Sequence, residues 1–136
     1  MPHLTSTDIA GRIEDLYGAP LADLATHAQD RPPGMLSALL GLHHGLAFAE
    51  RSITFHRDRL AQLVHPDRQI GAHEVTHVLD CARRLAEAVA VRDAQAATGL
   101  AVLQSLGRIA APEPFPVPTP DAAAPPLTAT STAPSR

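Results

Sequence analysis

Lysine and tryptophan are absent from this chain, cysteine occurs once, and aromatic residues make up only 3% of it. With so few aromatics, a core has to be built from Leu, Ile, Val and Ala, which suits helix-on-helix packing better than sheets rich in aromatic and β-branched residues. Cys81 has no partner for an intrachain disulfide, and its place in an apolar helical stretch reads as a buried thiol in a reducing compartment. All 11 basic residues are Arg, yet the formal net charge of −3 and the pI near 6.2 leave no concentrated positive field. Nucleic acid is therefore not a favoured partner, because neutralising phosphates needs such a field. Long apolar runs are missing too, so no membrane span is expected, and Met1-Pro2-His3-Leu4 does not open as a signal peptide. These features together predict a cytoplasmic protein.

Proline is scarce where helices are expected and dense where they are not. Of the 13 prolines, eight fall in residues 112–136, and five of these alternate from Pro112 to Pro120. Each residue before a proline is pushed toward extended geometry, which predicts a stiff polyproline-like rod over 112–120 followed by loose chain. Phe115 and Val117 are the sizeable apolar side chains of that rod, suited to a partner's groove. The chain thus divides into a helical domain over 1–111 and an extended, disordered Pro/Ala/Thr-rich tail over 112–136. About 110 residues allow one modest core.

Within the domain the apolar spacing is helical throughout. Asp8 lies three residues after Thr5 in the manner of a capping box, and Ile9, Ile13 and Leu16 follow at helical intervals, with the helix ending near Gly18. Pro20 opens a second short helix carrying Leu21, Leu24 and Ala28, which Asp30-Arg31-Pro32-Pro33-Gly34 terminates. From Met35 to Val64 a proline-free stretch places Leu39, Leu42, Leu46, Ala49, Ile53, His56, Leu60 and Leu63 on one narrow seam. His65-Pro66-Asp67 interrupts it, and Asp67 is the expected N-cap of a second long helix running to about Arg108, with a break or bend at Thr98-Gly99. Asp80–Arg84 and Arg83–Glu87 are spaced for ion pairs on its outer face. A short connection between two long helices makes them fold back antiparallel. The expected architecture is all-α: a long helical hairpin with two short N-terminal helices packed on it. A hairpin buries only one side of each helix, so the other two helices, or a second copy of the chain in a homodimer or other homo-oligomer, must cover the rest, and self-association is expected.

His73-Glu74-Val75-Thr76-His77 is the one motif with chemistry written into it. Two His four apart on a helix project from one face and can share a zinc ion, with Glu74 beside them as general base for a metal-bound water. Ala72 to Val78 resembles the active-site helix of the zincin metallopeptidases. The resemblance covers about seven residues and implies His73 and His77 as zinc ligands and Glu74 as the base. Outside the motif the chain departs from the family pattern. Asp80 and Arg83 stand where the metzincin type needs Gly and its third ligand, the later glutamates are only Glu87 and Glu113, and no strand precedes the motif. A turn centred on Pro66-Asp67 would set His56 opposite His77 and offer His56 as a third ligand. Glu74 and His77 also have the Glu-x-x-His spacing of di-iron helical bundles, with Glu50 as a further carboxylate if two chains paired. No Gly-rich phosphate loop, Ser nucleophile signature or paired-cysteine motif is present.

The clean seam and the incomplete catalytic set favour a non-enzymatic, self-associating protein-protein interaction module with a proline-rich arm and no cofactor. A zinc-dependent hydrolase using His73, Glu74, His77 and His56 is the alternative, and a di-iron-type helical dimer a second one.

Overall fold

The computed structural model describes residues 3–110, and these form four helices in the order α1 (Ser6–Tyr17), α2 (Leu21–Gln29), α3 (Met35–Leu63) and α4 (Ala72–Ala110). No strand occurs among the described residues, and the expected tail over 112–136 lies outside them. The described residues are all-α, as the composition predicts. No helix among the described residues is long and apolar enough to cross a membrane.

Local chemistry sets the ends of the short helices. Thr5 caps α1 through a full capping box: the Asp8 amide donates to Thr5 Oγ1 at 3.2 Å, and the Thr5 amide donates to the Asp8 carboxylate at 2.9 Å. Those bonds satisfy two amides that the first turn of a helix leaves free. The Thr5 hydroxyl and amide donating to Asp8 hold its carboxyl below the usual carboxylate range. Gly18 ends α1 in the left-handed region at φ 68°, where a Cβ would be strained. The Glu14 carboxylate then accepts from the Leu21 amide at 2.8 Å, fixing the angle at which α2 leaves α1.

The long helices form the antiparallel hairpin, and α1 and α2 pack on one end of it. There, Ile9, Ile13, Leu24, Leu39, Leu46, Ala96 and Leu103 form a buried cluster drawn from all four helices. Leu16, expected on the same stripe as Ile9 and Ile13, is exposed instead. The other end of the hairpin is an arm of only two helices. Its buried residues are Ala49, Ile53 and Leu63 on α3 and Cys81 and Ala88 on α4.

Two expected features of α4 are corrected. The helix begins at Ala72, not at Asp67. The His65 carbonyl accepts from the Arg68 amide and His65 Nδ1 lies 3.2 Å from the Asp67 amide, so residues 65–68 form a turn of their own. The helix starts where the Gly71 carbonyl accepts from the Val75 amide and the Glu74 carboxylate accepts from the Gly71 amide at 3.0 Å. Secondly, α4 runs unbroken through Thr98-Gly99. Gly99 is buried where α1 crosses α4, and a Cβ there would lie 2.6 Å from Ile9 Cδ1. This glycine serves close approach of two helices, and a tightly packed neighbour outweighs its weak helix propensity.

Candidate functional site

On the two-helix arm, one side of the hairpin is open. A shallow groove runs between α3 and α4. Near the middle of the hairpin Phe48, Ala49, Ser52 and His56 face Arg84, Glu87, Ala88 and Val91 across it. Toward the tip Phe55, His56, Arg59 and Leu63 face His77, Asp80, Cys81 and Arg84. The two stretches meet at His56 and Arg84, which line both. The groove's floor is made of small side chains, Ala49, Ser52, Cys81 and Ala88, and its walls carry exposed aromatics.

Helical spacing explains the groove's lining. Phe48, Ser52, Phe55 and Arg59 recur at steps of three and four along α3, as do His77, Asp80, Arg84, Glu87 and Val91 along α4, so each set shares one face. Phe48 and Phe55 are 65% and 64% exposed, in a chain with only three Phe residues. Charges in the groove alternate. Arg84 donates to Asp80 at 2.9 Å, Arg83 does the same from outside the groove, and the hydrogen bonds and positive charge of the two hold the Asp80 carboxyl below the usual range. The pair expected between Arg83 and Glu87 is present at 4.0 Å.

Of the motif histidines, His77 lines the tip end of this groove, and His73 stands one turn before it at the start of α4. His73 Nε2 and His77 Nε2 are 3.0 Å apart, with ring centroids 4.5 Å apart and planes at 89°, and both side chains are exposed. The spacing of four has thus brought two imidazole nitrogens together at one point outside the helix. Glu74, between them, turns away toward the helix N-terminus. Its carboxylate takes hydrogen bonds from its own amide and that of Gly71, which hold it below the usual carboxylate range.

His56 does not complete a three-histidine set. Cys81, not His77, stands across from His56: its thiol donates to the His56 carbonyl at 3.3 Å. The register differs from expectation by about one helical turn, because the connection spans residues 64–71 and centres near Arg68. His56 and His77 line the same groove, but no three His, Cys, Asp or Glu side chains among the described residues converge at metal-holding geometry. Glu50 is likewise occupied. Its carboxylate accepts from the Ser6 amide at 2.8 Å and from the Ser6 hydroxyl, capping α1 from across the bundle. His43 is half-buried and His44 exposed.

The groove walls, Phe48, Phe55 and Val91, were not singled out by the seam pattern, which tracks only residues facing the partner helix. Their signal was scarcity: two of three phenylalanines stand seven apart and off the seam. No family model matches the chain, and neither a curated protein nor a solved structure matches it.

Proposed function

We propose that the protein is a non-enzymatic, self-associating helical module, and that the α3/α4 groove of the arm is its contact face. The observation that carries this is the groove itself. Exposed Phe48 and Phe55 flank a floor of small residues on an arm that α1 and α2 do not cover. A floor of Ala, Ser and Cys lets another helix approach closely, and aromatic walls supply most of the area that association removes from water. A second copy is the occupant that the charges favour. Arg59, Asp80, Arg84 and Glu87 sum to zero and alternate in sign, so the face complements a second copy of itself and offers no steering to a strongly charged partner.

Sedimentation equilibrium on the full chain across a wide concentration range tests the reading. A reversible monomer–dimer equilibrium is expected, weakened about tenfold or more by Phe55→Asp, since burying a charge without a partner costs well over about 1.4 kcal/mol. Leu79, 65% exposed but outside the groove lining, supplies the control. Leu79→Asp leaves the equilibrium in place. A concentration-independent monomer, or equal loss in both variants, sinks the groove as the contact face.

The alternating-proline sequence from Pro112 supplies this module with an arm toward a further protein partner, and the lone thiol of Cys81 suits the cytoplasm. The hydrolase reading draws on the same His73–His77 pair, but Glu74 is engaged as a cap and no third ligand stands beside it among the described residues. Should the zinc-loaded protein cleave peptides, with Glu74→Gln inactive yet still holding zinc, hydrolysis replaces association as its function.

A further inference from the structure

His73 and His77 present two imidazole nitrogens within hydrogen-bond distance of each other on one exposed face. A tetrahedral zinc ion bound at about 2.0–2.1 Å by two imidazoles sets their nitrogens about 3.3 Å apart. The pair stands at 3.0 Å, so rotation of two exposed side chains by a few tenths of an ångström meets that requirement. Structural zinc sites, however, take four protein ligands. Among the described residues, nothing nearby on the same chain completes the set. Glu74 is turned back onto the Gly71 amide, Asp80 is paired with Arg83 and Arg84, and His56 belongs to α3, across the groove.

We propose that His73 and His77 from each of two chains hold one divalent cation between them, a four-imidazole site that exists only in the dimer. This rests on the self-association proposed above and names the group that closes it. Two observations point to a second copy as the source of the missing ligands. His77 lines the groove, so a chain packed in that groove by a two-fold axis running along the hairpin brings its own tip into the same neighbourhood. A two-fold axis through the metal also relates each histidine to its own copy, which turns one two-nitrogen edge into a tetrahedral set without any other residue. All-imidazole ligation selects a borderline ion of the zinc, nickel or copper class over calcium or magnesium, which prefer oxygen. With four neutral ligands and no bound water required, the site is structural.

The full chain is first stripped with chelator, and its association is then followed by sedimentation equilibrium with and without zinc sulfate, alongside calorimetric titration of zinc. Binding is expected to saturate at about one zinc per two chains and to tighten the dimer by at least about tenfold. His73→Ala abolishes the zinc response and leaves the metal-free equilibrium unchanged, since His73 is exposed and is not among the residues that line the groove. Three outcomes overturn the proposal: one zinc per chain with no change in mass, no zinc uptake at micromolar concentration, or zinc-driven dimerisation that persists when both histidines are alanine. The metal-free arm reads the groove separately. A stripped protein that stays monomeric at every concentration removes the groove reading, and the zinc arm then decides the bridge by itself.

Discussion

At the scale of single residues, four carboxylates serve backbone amides. Asp8, Glu14, Glu50 and Glu74 each accept from an amide at or near the start of a helix, where the partial positive charge of the helix terminus favours an anion. Glycine and histidine carry the testable consequences. At Gly99, alanine gains about 1 kcal/mol of helix propensity and loses a comparable amount in displacing Ile9 Cδ1, so Gly99→Ala is near neutral. Gly99→Leu overpacks the same contact and costs about 1–3 kcal/mol in denaturant unfolding. Equal stability for both variants shows that the α1/α4 crossing is not tight there. His43 sets a pH dependence. Burial, then the neighbouring His44, lower its pKa from 6.5, opposed by Glu50, and its Nδ1 is buried without a hydrogen-bond partner. The unfolded chain therefore takes up a proton more readily than the folded one, and stability falls as pH drops below about 6.5 toward the lower folded value. Asp8, Glu74 and Asp80, with lowered pKa values, retain their contribution until well below that window and lose it only at acid pH. Denaturation midpoints from pH 8 to 5 are expected to decline, and His43→Gln to flatten the decline; an unchanged slope in the variant removes His43 as its source.

At the scale of elements, α1 is held by a tertiary cap as well as by its own sequence. Isolated helices of 12 residues are marginal in water, and α1 gains its place from Ile9, Ile13 and the Glu50–Ser6 bonds. Glu50→Ala removes a charged acceptor from two donors and is expected to cost about 1–2 kcal/mol. Hydrogen exchange in α1 should quicken more than in α3, whereas a uniform change along the chain means that Glu50 acts on global stability and not on the α1 dock. The long helices follow a different logic. Their seam fixes which faces meet, but the connection between them fixes the register. A start at Ala72 lengthens that connection and slides α4 past α3 by about one turn, which sets Cys81 opposite His56.

For the whole molecule, the uneven cover of the hairpin is the controlling feature. At one end, four helices share a cluster that includes the fully buried Ile9, Ile13, Leu39 and Leu46. At the other, two helices enclose a thin row of mostly small side chains. Local opening follows the density of buried apolar contact. Amides of α3 beyond Ser52 and of α4 before Ala90 should exchange faster than those of the bundle in dilute protein, and slow down as concentration rises and the groove is covered. Protection equal to that of the bundle at all concentrations contradicts this account.

By itself, the sequence determined the all-α class, the four helices, the capping box at Thr5 and the hairpin seam. All of these depend on interactions between residues a few positions apart. It also placed His73 and His77 on one helical face, because a spacing of four is a local property. Only the tertiary structure decided that Glu50 caps α1, that Gly99 is a contact with Ile9 and not a break, that His56 meets Cys81, and that Phe48 and Phe55 wall an open groove. Each of these depends on the length of a connection or on which surface a distant helix covers, and neither quantity is encoded in the periodicity of one segment.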